Sequence, residues 1–141
     1  MQIQPYLVFE GRCEEAVEFY KKALGAEVTM LMRMKDNPEP EAAGPGCAPT
    51  GADAEKILHA EMQIAGNTVM CSDGMMQDQP SFKGFALSIT VADEATAKQT
   101  YDALVDGGQP FMPLGKTFWS PCFGMVHDRF GVCWMVGLNP T

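Results

Sequence analysis

One segment of the chain carries polar side chains at a spacing that suits chemistry on a β-strand. In "ILHAEMQI", residues 57–64, His59, Glu61 and Gln63 alternate with apolar residues. Alternate residues of a strand project from the same face, so this imidazole and this carboxylate should lie side by side. Such a pair can supply two ligands to a metal ion, or a polar edge to a small-molecule site.

A metal site at His59 and Glu61 needs at least one further ligand. Asp73 and His127 carry suitable side chains, but nothing in the sequence brings either of them close to this strand. The alternative is a polar strand face that borders a bound molecule or meets solvent. The residues alone leave both interpretations open.

Trp119 is a further residue whose type suits binding. It follows Phe118 and precedes Ser120 and Pro121. An indole in this setting can form a stacking wall for a small planar ligand. The same side chain also suits a core or a dimer interface, and we favour that structural role.

The five cysteines are odd in number and lack CxxC spacing, which favours reduced thiols over a disulfide framework or a zinc site. Cys71 and Cys133 have no neighbouring cation or helix start in the sequence, so we expect small core residues rather than catalytic thiolates. The full set is Cys13, Cys47, Cys71, Cys122 and Cys133.

Length, charge and hydropathy exclude several classes of protein. The chain has 141 residues, the size of one domain, and 46% hydrophobic residues, enough for a core. Because its net charge is −8 and it has no Lys/Arg cluster, no nucleic-acid partner is expected. No apolar run approaches the roughly 18 to 20 residues of a membrane span, and the first residues do not resemble a signal peptide. We therefore expect a cytoplasmic protein with no membrane partner.

The elements that must position these residues follow one order in two halves, residues 1–74 and 81–141 of a single domain. In each half a strand and a helix precede three further strands, which predicts an α+β fold of two βαβββ modules. "FYKKALG" in the first half faintly resembles "TYDALVDGG" in the second. The predicted strands cover residues 2–10, 27–35, 57–64, 68–72, 84–91, 110–114, 118–127 and 132–138.

The two predicted helices carry end signals. Gly25 ends the first helix, which has acidic residues in its first turn and lysines in its last. Asp93 caps the second helix. Residues 36–53, "DNPEPEAAGPGCAPTGAD", lack periodicity and predict a long surface loop. The expected buried stripes are Ala16, Val17, Tyr20, Ala23 and Leu24 in the first helix, and Ala97, Tyr101 and Leu104 in the second.

Four stretches that span most of the chain carry a family resemblance: "PYLVFEGRCEEAVEFYKKALGAEV", "HAEMQIAGNTVMCSD", "GFALSITV" and "TFWSPCFGMVHDRFGVCWMV". They resemble the vicinal oxygen chelate superfamily of glyoxalases and bleomycin-resistance proteins. Within it the sequence is similar to the PhnB-like branch, also labelled 3-demethylubiquinone methyltransferase-like. The resemblance implies that the two modules form a glyoxalase-like cup. Its most specific residues are Phe118-Trp119 and Asp128-x-Phe130-Gly131-Val132-x-Trp134.

The resemblance also shows where metal ligands would stand. In metal-bearing members of the superfamily, one ligand lies near the start of each module's first strand and one near the end of its last strand. None of the residues at these positions is a normal ligand for a divalent ion. The resemblance therefore implies neither a metal nor another cofactor, unless the metal site has moved. By position the residues are Pro5, Ser72, Phe85 and Met135.

Two classes of function follow. The first is a metal-free protein that binds a small, partly planar molecule, and the second is a metal-dependent lyase, isomerase or dioxygenase with a relocated metal site. Whether a reaction is catalysed stays open, and the methyltransferase label gains no support because the chain has no GxGxxG after a strand. Since members of the superfamily commonly pair, a homodimer is expected. The expected ligand-binding residues are His59, Glu61, Phe85, Trp119 and Met135.

Overall fold

The structure, a computed structural model, describes residues 1–37, 54–76 and 79–139. The chain divides into two compact units, Met1–Pro80 and Ser81–Thr141. Each unit has one four-stranded mixed sheet and one α-helix, in the order strand, helix, three strands. The predicted α+β fold of two βαβββ modules is therefore confirmed. No helix among the described residues is long and apolar enough to cross a membrane.

The first unit contains four strands and one helix: β1 (Tyr6–Val8), α1 (Cys13–Leu24), β2 (Glu27–Arg33), β3 (Ile57–Ile64) and β4 (Asn67–Ser72). Its sheet has the strand order β1-β4-β3-β2. Strand β1 runs parallel to β4, which requires a long connection, and helix α1 lies in that connection. The other two pairs are antiparallel.

Helix α1 begins and ends where the sequence predicts. Glu14 and Glu15 lie in its first turn and Lys21 and Lys22 in its last, the order that the helix dipole favours. Gly25 ends it in the left-handed conformation at φ 67°, which glycine adopts without steric cost. The predicted buried stripe is partly wrong, because Ala23 and Leu24 in the final turn are only half-buried. The buried residues are Cys13, Ala16, Val17, Phe19 and Tyr20.

The second unit repeats the element order of the first, with β5 (Leu87–Val91), α2 (Glu94–Val105), β6 (Gln109–Gly115), β7 (Phe123–His127) and β8 (Cys133–Leu138). Its sheet has the corresponding strand order, β5-β8-β7-β6. Strand β5 runs parallel to β8, and the remaining pairs are antiparallel.

Helix α2 is held at its start and along its buried face. The Asp93 side chain accepts a hydrogen bond from the Thr96 backbone N–H at 2.7 Å, which confirms the predicted cap. Ala97, Tyr101 and Leu104 are buried, as predicted. The Tyr101 hydroxyl lies 3.1 Å from the carbonyl oxygen of Met112 on β6 and 3.3 Å from that of Met125 on β7. This side chain thus joins the helix to two strands.

Four predicted strands were too long by two or more residues, and the second of them ends at Arg33 rather than at residue 35. The first strand covers only Tyr6–Val8, and the fifth begins at Leu87, so Phe85 precedes it. Residues 118–122 are not in a strand, because the Thr117 hydroxyl accepts a hydrogen bond from the Ser120 backbone N–H and closes a turn there. Nearly all of the predicted 36–53 loop, with Cys47, lies outside the described residues.

Candidate functional site

His59, Glu61 and Tyr6 form a hydrogen-bonded group on the first unit's sheet, and we call these three residues the His59 cluster. The Nε2 atom of His59 lies 3.4 Å from Oε2 of Glu61, two residues along the same strand. Its Nδ1 atom lies 3.2 Å from the hydroxyl oxygen of Tyr6 on β1. The Tyr6 and His59 rings are stacked, with centroids 5.5 Å apart and planes 28° from parallel.

The His59 cluster lies on the sheet face opposite to the buried one. Ala60, Met62 and Ile64, the residues that alternate with the cluster on β3, are all buried. The side chains of His59 and Glu61 keep 26% and 36% of their surface exposed. The predicted division of this strand into a polar and an apolar face is confirmed. A small molecule can therefore reach these polar atoms, although they are partly shielded from water.

Methionines surround the His59 cluster on the neighbouring strands. Met32 is paired with His59 across the β2–β3 ladder, and Met30 is paired with Glu61. On the other side of β3, Met70 is paired with both Glu61 and Tyr6. All three methionines are half-buried. The cluster is thus a small polar group on an apolar and polarisable surface.

Sequence reasoning missed Tyr6. Its hydroxyl meets His59 only because β1 pairs with β4 in parallel, and β4 pairs in turn with β3. The two residues are 53 positions apart, and no spacing rule links them. A tyrosine within the predicted first strand was the only signal in the sequence.

The two other residues considered as metal ligands have different neighbours. Both carboxylate oxygens of Asp73 accept backbone hydrogen bonds, from Cys13 at 2.8 Å and from Ile57 at 2.6 Å. His127 belongs to the second unit, where its ring stacks on Phe111 at 5.2 Å. Within the described parts of the chain, no group of three His, Cys, Asp or Glu residues is arranged to hold a metal ion.

The positions that hold ligands in metal-bearing relatives do not fit a divalent ion. Pro5 has no side-chain donor, and the Ser72 hydroxyl is buried and accepts a hydrogen bond from the Gly74 backbone N–H at 3.1 Å. Phe85 packs edge-on against Phe82. Met135 offers only a thioether, a ligand that hard divalent ions do not favour.

The second unit holds the other three predicted site residues. Met135 lies half-buried in the middle of its sheet, paired with Ser88 and Met125. Trp119 is 39% exposed and packs edge-on against Phe118 and Phe123. Phe85 is 44% exposed. Their participation in binding stays a prediction.

The described cysteines are core residues. Cys13, Cys71, Cys122 and Cys133 are free and buried. A hydrogen bond with the Cys71 side chain, together with burial, raises the pKa of the Cys13 thiol. Burial raises the pKa of Cys122 and of Cys133 as well. The thiols of Cys13, Cys122 and Cys133 therefore stay protonated at neutral pH and are poor nucleophiles.

The motif around Asp128 has a structural role. Its Oδ1 accepts hydrogen bonds from the backbone N–H groups of Phe130 and Val132, at 2.9 and 3.0 Å. Its Oδ2 accepts one from the indole N–H of Trp134 at 2.8 Å. Gly131 supplies the positive φ, 92°, that the turn requires. The motif that carried the family resemblance thus builds the last hairpin.

Comparison with known proteins places these features in a family. Residues 1–137 match the model of the family described as 3-demethylubiquinone-9 3-methyltransferase. Protein YjdN of Escherichia coli (strain K12) is 34% identical over 140 residues, which cover 98% of this chain and 95% of YjdN.

Solved structures agree with that match. Protein PA1353 from Pseudomonas aeruginosa is 36% identical with a TM-score of 0.83, and the match covers 99% of this chain and 98% of PA1353. A putative 3-demethylubiquinone-9 3-methyltransferase, PhnB protein, from Bacillus cereus is 27% identical with a TM-score of 0.79, over 99% of this chain and 100% of that protein.

A more distant structure shows the fold alone. A glyoxalase-related enzyme from Fulvimarina pelagi is 18% identical, and it has a TM-score of 0.63 over 99% of this chain and 88% of that enzyme. The fold is therefore that of the glyoxalase and bleomycin-resistance proteins. With a family match over 137 consecutive residues, the chain belongs to the PhnB-like family described as 3-demethylubiquinone-9 3-methyltransferase.

Proposed function

We propose that the protein binds a small molecule at the His59 cluster without a metal ion. The observation that carries the proposal is the contact of the His59 imidazole with both Tyr6 and Glu61 on a partly exposed sheet face. A few convergent polar groups on an apolar surface are the usual composition of a small-molecule site. Methionines paired with these residues supply the apolar surface.

The residues of the second unit enter the proposal more weakly. We propose Phe85, Trp119 and Met135 as apolar ligand contacts within the second unit. The methyl transfer in the family's description is not part of the proposal. Each sheet has a single parallel pair, so neither is the doubly wound parallel sheet to which a Rossmann-type cofactor site belongs.

The first experiment removes the imidazole. Ligands are identified by a thermal-shift screen on the wild-type protein, and their affinities are then measured for His59→Ala by calorimetry. We expect affinity to fall about tenfold, as loss of one partly buried hydrogen bond would cause. The fold should persist, because His59 is only half-buried.

A matched control lies on the same strand and face. Gln63 donates to the Thr68 hydroxyl at 2.6 Å rather than to a residue of the cluster. Gln63→Ala should leave ligand affinity unchanged. If the two variants weaken binding equally, or if His59→Ala binds like the wild type, then the ligand does not lie at the cluster.

The second experiment tests the metal. The protein is purified without chelator and its metal content measured, and its melting temperature is recorded with and without EDTA. We expect no stoichiometric divalent ion and no shift, because an ion bound only to the folded state would stabilise it. One equivalent of a tightly held ion would instead favour the alternative, a metal-dependent lyase, isomerase or dioxygenase that uses the neighbouring His59 and Glu61.

We also propose that the protein is a homodimer in the cytoplasm. Each four-stranded sheet has two edge strands, and pairing with a second copy is one way to cover such edges. The four buried free thiols suit a reducing compartment. Light scattering at micromolar concentration should give twice the chain mass, and a monomer there would contradict the dimer.

A further inference from the structure

We propose that the His59 cluster selects a planar cation with N–H donors, such as an amidinium. The inference rests on the proposed function, since it names the ligand class of the same site. It follows from the direction of the hydrogen bonds in the cluster, from the charges around it and from the stacked rings.

The hydrogen bonds fix which atoms the cluster can offer to a ligand. A neutral imidazole has one N–H and one acceptor nitrogen. When Nε2–H of His59 donates to Glu61, Nδ1 must accept the hydroxyl proton of Tyr6. The Tyr6 oxygen then turns only lone pairs outward, and the second Glu61 oxygen does the same. In this state the cluster offers acceptors alone and carries one negative charge.

The charged groups near the cluster are acidic or already paired. The residues that pair with His59 and Glu61 on the neighbouring strands are methionines of β2 and β4, and Tyr6 on β1 pairs in turn with the methionine of β4. None of these residues is a lysine or an arginine. Glu27, at the other end of β2, is a carboxylate. The cations nearest along the chain are Arg33, bound to Glu14 and Glu55, and Lys56, bound to the carbonyl oxygen of Gly11.

The rings favour a flat ligand. Tyr6 is 45% exposed and its ring lies nearly parallel to that of His59. A delocalised cation placed against the Tyr6 ring gains both stacking and the attraction of the ring's electron-rich face. Met30 and Met70, on either side of Glu61, can adjust to the edge of such a ligand.

The test uses benzamidinium, with benzamide and benzoate as flat controls of similar shape but different charge. Binding is measured near neutral pH by calorimetry and by NMR shifts of the His59 ring. We expect millimolar or tighter binding of benzamidinium and about tenfold weaker binding of both controls.

Three variants separate the contributions. Glu61→Gln should abolish the preference for benzamidinium over benzamide, because the charge is lost. Tyr6→Phe keeps the ring and removes the oxygen, so it should weaken the binding of benzamidinium. Gln63→Ala should bind like the wild type. NMR spectra of each variant establish that the fold is intact, and Tyr6→Phe alone suffices if Glu61→Gln does not fold.

The outcomes distinguish this inference from the proposed function. If screened ligands need His59 but benzamidinium binds no better than benzoate, or does not bind, the site stands and the ligand class is wrong. If benzamidinium binds to Tyr6→Phe as tightly as to the wild type, the hydrogen-bond argument is wrong. If benzamidinium binds in His59→Ala and Gln63→Ala alike and shifts no signal of the cluster, both proposals fail.

Discussion

The two units start their helices in different ways. In the second unit, Asp93 directly precedes α2 and caps it through the Thr96 backbone N–H. In the first unit, Arg12 precedes α1 and its side chain makes no capping hydrogen bond. The carboxylate there comes from Asp73, which accepts from the N–H of Cys13, 60 residues earlier in the chain.

The difference shows that one chemical need can be met locally or by the tertiary fold. The first turn of any helix has free backbone N–H groups and favours negative charge. Asp93 meets this need on the surface, whereas Asp73 is 1% exposed and also accepts from Ile57 at the start of β3. Asp73 thereby joins the end of β4, the start of β3 and the start of α1. Loss of its side chain should disturb all three.

Asp73 differs from Asp93 in two properties, its burial and the sequence distance to its hydrogen-bond partners, and Asp128 shares only the first of these with Asp73. Like Asp73 it is buried, with 3% exposure, and like Asp93 its partners are nearby in the sequence. If burial and the number of donors decide how much a carboxylate stabilises the fold, Asp128 should rank with Asp73. If sequence distance decides, it should rank with Asp93.

The largest effect is expected for Asp128→Ala. It leaves three buried donors, two backbone N–H groups and the indole N–H of Trp134, without this acceptor. At about 1 kcal/mol or more for each buried donor, unfolding by urea should show a loss of about 3 kcal/mol or more. A loss for Asp128→Ala of about 1 kcal/mol or less would show that the turn does not depend on the carboxylate.

Asp73→Ala should come next, because it leaves two buried backbone N–H groups without their acceptor. The expected loss is about 2 kcal/mol or more in the free energy of unfolding. Asp73→Asn should recover only part of it, since an amide has a single acceptor oxygen. Asp36→Ala in the same unit is the control, because Asp36 is exposed and accepts one bond from the Arg33 backbone N–H at 3.2 Å. A loss for Asp73→Ala as small as that of Asp36→Ala would contradict the role of burial.

The same contrast explains how far the sequence could predict the fold. The element order, the extent of β3 and the Asp93 cap follow from patterns within a few residues, and the structure confirms them. The turn at 118–122 was predicted as strand, because its apolar residues resemble a strand and the Thr117–Ser120 hydrogen bond that closes the turn has only a weak signature. Strand ends depend on such local polar bonds more than on hydrophobic pattern.

The candidate site divides in the same way. His59 and Glu61 are two apart on one strand, so their proximity could be predicted from side-chain alternation. Tyr6 reaches His59 through two strand pairings, and Asp73 reaches Cys13 across the fold. No periodic pattern in the sequence predicts contacts between residues so far apart along the chain. Asp73 was therefore considered only as a metal ligand, and its actual partners are backbone N–H groups.

The smallest effect is expected for Asp93→Asn, which tests charge apart from hydrogen bonding. Asparagine can still accept from the Thr96 backbone N–H, so stability near neutral pH should fall only slightly. The hydrogen bonds from Thr96 lower the pKa of Asp93 in the folded protein. A carboxylate with a lowered pKa stabilises the fold above its unfolded pKa, and this contribution is lost as the pH falls through the folded value. The difference between wild type and Asp93→Asn in urea should therefore shrink between about pH 7 and about pH 2.5, below the ordinary range of aspartate. A difference that stays constant over this range would mean that the charge of Asp93 does not contribute and that its cap acts by hydrogen bonding alone.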